Sequence, residues 1–259
     1  MILSRRISLD GVQLDSLDER IIISGFTEDS ADETFRSVDR YPFGSRITNQ
    51  HLNKKKMTVK FQLKVRKGNF DDRNEILEKI AKWARFGKVQ QSSTRPNRQI
   101  SVKCTQQPQR VDPRNWTGEY ELNFEATGKP YWESTDTVSV TLAQGSSGEG
   151  LITITGNMET CGEATIQNKS GGTINTLELT VGAYTMSFTN LGLANNAYLS
   201  IDHEEIRDIE VLRVRDGETS KMANKAGDDE FILTPGNNAI SFSAGGTVSV
   251  TVSARGRYL

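Results

Sequence analysis

The chain has 259 residues, a mass of 28.8 kDa, a formal net charge of −1 and a mean hydropathy of −0.52. The near-neutral total excludes a generic polyanion binder, no stretch approaches the ~20 apolar residues of a membrane helix, and the start, Met1-Ile2-Leu3-Ser4-Arg5-Arg6-Ile7, has no apolar run of signal-peptide length. Cys104 and Cys161 are too few and too far apart for a disulfide framework or a zinc spacing.

The total hides a split. Residues 1–134 carry 24 Lys and Arg against 18 Asp and Glu, a net of +6, whereas residues 135–259 carry 8 against 15, a net of −7. Such asymmetry between halves is a partner signal, or a sign that unlike ends stack against each other. Length fits one large β domain or two ordinary ones. The boundary is expected near Glu133–Asp136, where Gly128-Lys129-Pro130 interrupts a strand pattern and the charge changes sign, which gives domains 1–134 and 135–259.

In chain order, the first feature is a long polar tract at residues 25–56, holding Thr27-Glu28-Asp29-Ser30-Ala31-Asp32-Glu33 and later Tyr41-Pro42-Phe43-Gly44. A structureless stretch of that length inside a domain is uncommon and usually functional. It reads as a surface loop or as an extended arm that becomes ordered against a neighbour. A basic run follows: Lys54, Lys55 and Lys56 lead into Lys60, Lys64, Arg66 and Lys67. Phosphate tracking would use such a stripe, but no aromatic is interleaved on its face. A solvated strand face or an interface rim is the better reading.

Met57, Val59, Phe61, Leu63 and Val65 alternate with those basic residues, the period-two mark of a half-buried strand. A helix is predicted over about 70–86. Asn69 caps it, Asp71, Asp72 and Glu75 place acid at its positive end, Ile76, Leu77, Ile80 and Ala84 form its apolar stripe, and Gly87 stops it. Tyr120, Leu122, Phe124 and Ala126 then alternate with Glu119, Glu121 and Glu125, so an acidic strand face is available to pair with the basic one.

The second half reads as short strands with glycine-rich turns, at 136–142, 150–155, 161–168, 173–181, 183–189, 197–202, 206–214, 230–233, 238–243 and 247–254. Ser170-Gly171-Gly172, Gly236-Asn237-Asn238 and Gly245-Gly246 are expected turns, and the linker-like segment 144–150 is expected to be a hairpin tip. This spacing argues for an antiparallel sandwich with no further helix.

Chemistry has little support. His203-Glu204-Glu205 is one histidine beside two acids and reads as a charged turn, not as a zinc-protease helix. Asp228-Asp229-Glu230 lacks the alternating ligands of a calcium loop. No nucleophile elbow, P-loop or dinucleotide fingerprint is present. We expect no catalytic residue, cofactor or metal. The candidate interface residues are Tyr41, Phe43, Lys54, Lys55, Lys56, Lys60, Lys64, Arg66, Tyr131 and Trp132, since exposed aromatics and cations mark contacts. For Trp132, packing at the joint is the competing reading.

The order of features carries a resemblance. Lys82-Trp83-Ala84 in the helix, the later strand Arg98-Gln99-Ile100-Ser101-Val102-Lys103, the joint Phe124-Glu125-Ala126-Thr127-Gly128-Lys129-Pro130-Tyr131-Trp132 and the ending Ala254-Arg255-Gly256-Arg257-Tyr258-Leu259 resemble the distal tail (Dit) proteins of long-tailed bacteriophages. The resemblance implies a mainly β chain: a sandwich-like, ring-forming N-terminal domain with one helix and an arm, then a galectin-like C-terminal sandwich. It implies a non-enzymatic virion tail protein, assembled in the host cytoplasm. It implies a hexameric ring joining the tail tube protein to the tail-tip hub and to receptor-binding proteins, with DNA passing through the bore and no membrane anchor. Shared burial in such a ring would also account for the modest 35% hydrophobic content. The alternative is a carbohydrate-binding β-sandwich module. Against it, the chain has no tryptophan after Trp132, and most later aromatics, among them Tyr184, Phe188, Tyr198, Phe231, Phe242 and Tyr258, fall in strand patterns and read as core.

Overall fold

The computed structural model describes residues 7–29, 33–39, 45–52, 55–66, 69–85, 88–92, 95–111, 118–127, 131–206 and 209–259. The chain separates into two compact units, Met1–Trp132 (with Leu259) and Glu133–Tyr258.

The first unit holds β1 (Ile7–Leu9), β2 (Val12–Gln13), β3 (Ile21–Glu28), β4 (Glu33–Asp39), β5 (Ser45–Leu52), β6 (Lys56–Leu63), α1 (Phe70–Trp83), β7 (Lys88–Ser92), β8 (Arg95–Arg110) and β9 (Glu119–Ala126). β10 (Trp132–Ser134) spans the boundary. Seven strands form one antiparallel sheet in the order β2-β1-β7-β8-β9-β6-β3. Its alternation works as expected, with Met57, Val59 and Phe61 of β6 and Leu122, Phe124 and Ala126 of β9 buried on one face. The helix lies on that face. Ile76, Ile80 and Trp83 are buried, and Trp83 meets Phe124 edge-on with ring centroids 6.4 Å apart. The Asn69 side chain caps it by accepting from the Asp72 N–H at 3.3 Å. The helix ends at Trp83, short of the expected residue 86, and Ala84 closes its last turn on the Ile80 carbonyl. Arg20 reaches both Asp18 at 2.8 Å and Asp72 at 3.3 Å, which ties the start of α1 to the turn before β3. The Arg20 guanidinium holds the Asp18 carboxyl well below the usual carboxylate range.

The polar tract is not structureless. It contains the end of β3 and an antiparallel hairpin, β4 with β5, from Glu33↔Leu52 to Asp39↔Ser45. Among the described residues the hairpin pairs with no other strand.

The second unit holds β11 (Val138–Thr141), β12 (Gly145–Ile154), β13 (Thr160–Cys161), β14 (Glu163–Asn168), β15 (Leu177–Val181), β16 (Tyr184–Phe188), β17 (Tyr198–Ile206), β18 (Ile209–Asp216), β19 (Thr219–Ser220), β20 (Lys225–Gly227), β21 (Ile232–Leu233), β22 (Gly236–Ala254) and β23 (Arg257–Tyr258). Its organiser is the 19-residue β22. The N-terminal half of β22 pairs with β12 and β15, and its C-terminal half pairs with β11 and β14. One strand thus belongs to two layers, and the apolar core lies between them, drawing Ile152, Leu179 and Phe242 from one and Ile166, Leu199 and Val250 from the other. A strand that changes layers does so at a bulge. Here Gly145 faces Val248 while Ser147 faces Ser243, so extra β22 residues loop out around Gly245-Gly246.

Three expected turns are therefore strand. Gly236-Asn237-Asn238 opens β22 and pairs in register with Ile154, Thr153 and Ile152 of β12. Gly245-Gly246 is the bend inside β22, where a Cβ on Gly246 would lie 2.8 Å from Ser170 Cβ. Segment 144–150 is not a hairpin tip but largely the start of β12. Its glycines leave room for neighbours: a Cβ on Gly148 would lie 2.6 Å from the Phe242 ring, and one on Gly150 would lie 2.3 Å from a Leu142 methyl. His203-Glu204-Glu205 is also strand, within β17.

Filling the Gly148 space forces the Phe242 ring out of the core. Gly148→Val is expected to destabilise the C-terminal unit by about 1–3 kcal/mol, the usual range for overpacking, read as a lower denaturant midpoint by far-UV circular dichroism. Gly171→Ala at an open surface turn should show only its smaller backbone strain.

Candidate functional site

Three places concentrate polar chemistry. The first lies in the N-terminal unit at the root of the β4–β5 hairpin. Glu28 closes β3 just before the hairpin and Lys55 stands just after it. Their side chains meet at 2.7 Å, with Lys55 only 3% exposed. Trp132 Nε1–H donates to the same Glu28 oxygen at 2.8 Å, and the Arg95 guanidinium approaches the other oxygen at 3.0 Å while lying 5.4 Å from the Trp132 ring centroid. Burial alone would push the Glu28 carboxyl up. The donors from Lys55 and Trp132 outweigh it and hold the group below its ordinary value.

The second is the outer face of β6, β9 and β8. Lys56 pairs in register with Glu125, which faces Lys103 on the next strand, and Lys60 pairs with Glu121. Lys103 Nζ reaches Glu125 at 3.8 Å. The basic stripe therefore lies beside an acidic one. Charge alternates strand by strand, so this face does not form the continuous positive track that phosphate binding uses.

These two places sort the interface candidates. Lys56, Lys60, Lys64 and Arg66 lie on or beside the striped face, and Lys64 and Arg66 are exposed. Lys55, Tyr131 and Trp132 are interior, at 3%, 7% and 0% exposure, so the expected surface position of Lys55 is corrected: the buried carboxylate of Glu28 draws it in. Tyr41, Phe43 and Lys54 lie outside the described residues.

The third is a cavity of about 280 Å³ in the C-terminal unit, lined by Glu133, Cys161, Glu163, His203, Glu210 and Arg257, among others. Arg257 makes a two-point pair with Glu210 and reaches Glu133 at 3.4 Å. The Cys161 thiol donates to Glu210 at 2.9 Å. His203 Nδ1 stands 3.2 Å from the Gly162 carbonyl oxygen, which fits a neutral ring with the proton on Nδ1. Burial pushes the His203 pKa down, against the opposing pull of Glu210. These side chains bond to one another around the cavity. Sequence reading missed this group because its members come from β10, β13, β17, β18 and β23. Among the described residues no cluster of His, Cys, Asp or Glu could hold a metal ion, and no helix is long and apolar enough to cross a membrane.

No protein-family model and no curated protein matches the chain in sequence. Solved structures do match. The Dit protein of phage SPP1, described as a paradigm of the hub adsorption apparatus in phages infecting Gram-positive bacteria, aligns with a TM-score of 0.70 at 14% identity, over 98% of this chain and 99% of that one. Chains of the phage p2 baseplate in its activated conformation, with Sr and with Ca, align at a TM-score of 0.44 with 9% and 10% identity, over 96% and 97% of this chain and 97% and 98% of theirs. The chain has the fold of SPP1 Dit along nearly its whole length.

Replacing Glu28 leaves Lys55 buried without its counter-charge. Glu28→Gln is expected to cost the N-terminal unit about 3–5 kcal/mol, read by tryptophan fluorescence during denaturant unfolding, since all three tryptophans lie within residues 1–132. Because the folded-state pKa of Glu28 is depressed, its stabilisation is present above the ordinary value of 4.5 and is lost as pH falls through the folded value. The variant should show a flatter acid limb.

His203 gives a second pH signature. Its folded pKa is also depressed, so the C-terminal unit should lose stability as pH falls below the ordinary histidine value of 6.5. The Glu210 carboxylate opposes this trend and Arg257 reinforces it. His203→Gln should remove that slope in a pH series of thermal melts.

Proposed function

We propose that this chain is a structural protein of a bacteriophage tail, a distal-tail adaptor that forms a ring between the tail tube protein and the host-recognition apparatus at the tip. The observation that carries the reading is the end-to-end fold match to SPP1 Dit, which spans both units and not one common module. In this reading six copies close the ring, DNA passes through the bore without specific contacts, and no step is enzymatic. The tail-associated hub and receptor-binding proteins dock on the distal side. The protein resides in the virion tail after assembly in the host cytoplasm.

The N-terminal unit has the parts that a ring requires. A closed ring of identical subunits uses a heterologous interface, two different patches per subunit. The β4–β5 hairpin supplies one patch, because its strands pair only with each other among the described residues. The other is β3, an edge strand paired with β6 on one side, whose remaining backbone groups can receive an added strand. The striped face suits contacts in register, since a shift by one strand sets like charges together. The net −7 of residues 135–259 against the net +6 of residues 1–134 fits an acidic half facing outward and a basic half facing ring and tube.

The test is the oligomeric state. Native mass spectrometry of the purified chain, alone and with tail tube protein, should show a closed ring. Replacing residues 31–53 by a short Gly-Ser linker should give a folded monomer. A strict monomer at high concentration in both conditions would sink the reading, and a ring that persists without the hairpin would remove the hairpin's part in it.

A further inference from the structure

Most strands that end the two large sheets are short: β2 has 2 residues, β11 has 4, β19 has 2 and β20 has 3. Two are long, β3 with 8 residues and β12 with 10. Short edges are one means by which proteins keep their sheets from pairing with stray chains. β3 has a part in the ring proposed above, and β12 has none. It pairs with β22 on one side, and among the described residues no strand lies on its other side.

Register shows which of its backbone groups are open. The Gly182 N–H donates to the Ala239 carbonyl at 2.8 Å and the Gly245 N–H to the Thr176 carbonyl at 2.9 Å, so odd-numbered residues in this half of β22 turn their backbone toward β15. The even-numbered Asn238, Ile240 and Phe242 turn theirs toward β12, where they face Ile152, Gly150 and Gly148. By alternation, Ser147, Glu149, Leu151 and Thr153 direct their N–H and C=O groups away from β22. The ladder runs unbroken from Ser147 to Ile154, and that stretch contains neither Lys nor Pro, two residues that blunt edges elsewhere.

The same four residues carry their side chains on the outer surface, since Ile152 and Ile154 are buried and a Cβ on Gly148 would meet the Phe242 ring. Leu151 is 51% exposed. Tyr198 and Val211 are also exposed, but they lie in the other layer, Tyr198 despite a strand pattern that reads as core. Glu149 is exposed and has no ion-pair partner among the described residues. No Lys or Arg occurs in β12, β15, β16 or β22, and Glu178 of β15 adds a second acid. Lys225 of the neighbouring β20 is already paired, with Asp229 at 2.8 Å.

We infer that β12 is a docking edge, completed by an extended segment of another protein that carries a Lys or Arg two residues from an apolar residue. Backbone pairing is indifferent to sequence and supplies affinity, while side chains supply selection. An added strand sets its side chains about 4.5–5.5 Å from those they oppose. Glu149 and Leu151 share one face, so the cation and the apolar side chain that meet them stand two positions apart. A second copy of β12 does not fill this need. It has no cation, and self-pairing in any register leaves Glu149 without a counter-charge.

The inference goes beyond the adaptor reading, and its test does not depend on a ring. Fluorescein-labelled peptides are titrated against the full-length chain by anisotropy: Thr-Thr-Lys-Thr-Val-Thr-Thr, the same peptide with Glu in place of Lys, and the β12 sequence itself. The Lys peptide should bind, and hydrogen exchange read by mass spectrometry should show new protection confined to Gly145–Ile154. The Glu peptide should bind about fivefold more weakly, and Glu149→Lys should invert that preference. Leu151→Pro removes an outward N–H without touching the ladder to β22, and should abolish binding. Circular dichroism melts identify a variant that fails to fold, in which case Glu149→Lys alone carries the comparison. Absence of binding by the Lys peptide, equal binding of the Glu peptide, tighter binding of the β12 peptide, or protection outside β12 would overturn the assignment.

Discussion

The carboxylate of Glu28 is the contact on which the N-terminal unit turns. It closes β3 and gathers Lys55 from the start of β6, Arg95 from the start of β8 and Trp132 from the end of the unit. Residues 28 and 55 are the two roots of the β4–β5 hairpin, and the Asp29 N–H also donates to the Lys56 carbonyl at 3.0 Å. The hairpin therefore leaves the sheet through a neck closed by both an ion pair and a backbone hydrogen bond. A buried ion pair is a weak source of net stability, because desolvation offsets its attraction. Its value here is positional: Lys55 has one low-energy place to go, and that place fixes where the hairpin begins.

The charge split acquires a different meaning once register is known. Among the described residues, the basic stripe of β6 is not a continuous basic surface. Lys56 and Lys60 lie beside Glu125 and Glu121, with Lys103 beyond Glu125. In the second half, Asp202 pairs with Arg213 and Arg215, and Arg213 also with Glu204. In both units, then, opposite charges stand side by side on described strands.

Period-two alternation made β6, β9 and most strands of the second half legible, and the capped stripe from Asn69 made the helix legible to within a few residues. What escaped had partners distant in sequence. Gly148 read as a turn residue because its reason, the ring of Phe242, lies 94 positions later. Gly245-Gly246 read as a break between strands, yet it lets one strand cross between layers, a property of the two-layer arrangement and not of the local sequence. Lys55 read as one lysine in an exposed run because nothing local distinguishes it from Lys56. Only Glu28, 27 residues away, draws it inward. Tyr198 sits in a strand whose alternate members are core, and its side is decided by register with Gln167.

Register also accounts for the modest apolar content. Shared burial in an assembly is one explanation for 35% hydrophobic residues, but the two units account for it without that help. A strand with one wet face devotes only every second position to the core. In β22 the buried positions run Asn238, Ile240 and Phe242 before the bulge and Val248, Val250, Val252 and Ala254 after it, while serines and threonines occupy most of the positions between. Each fully buried Val, Leu, Ile or Phe contributes about 1.5–3 kcal/mol. The large C-terminal cluster, lined by residues of both layers, is therefore ample for a unit of this size. Low hydrophobicity here records sheets that keep a polar face toward water, striped with charge in one unit and rich in hydroxyls in the other.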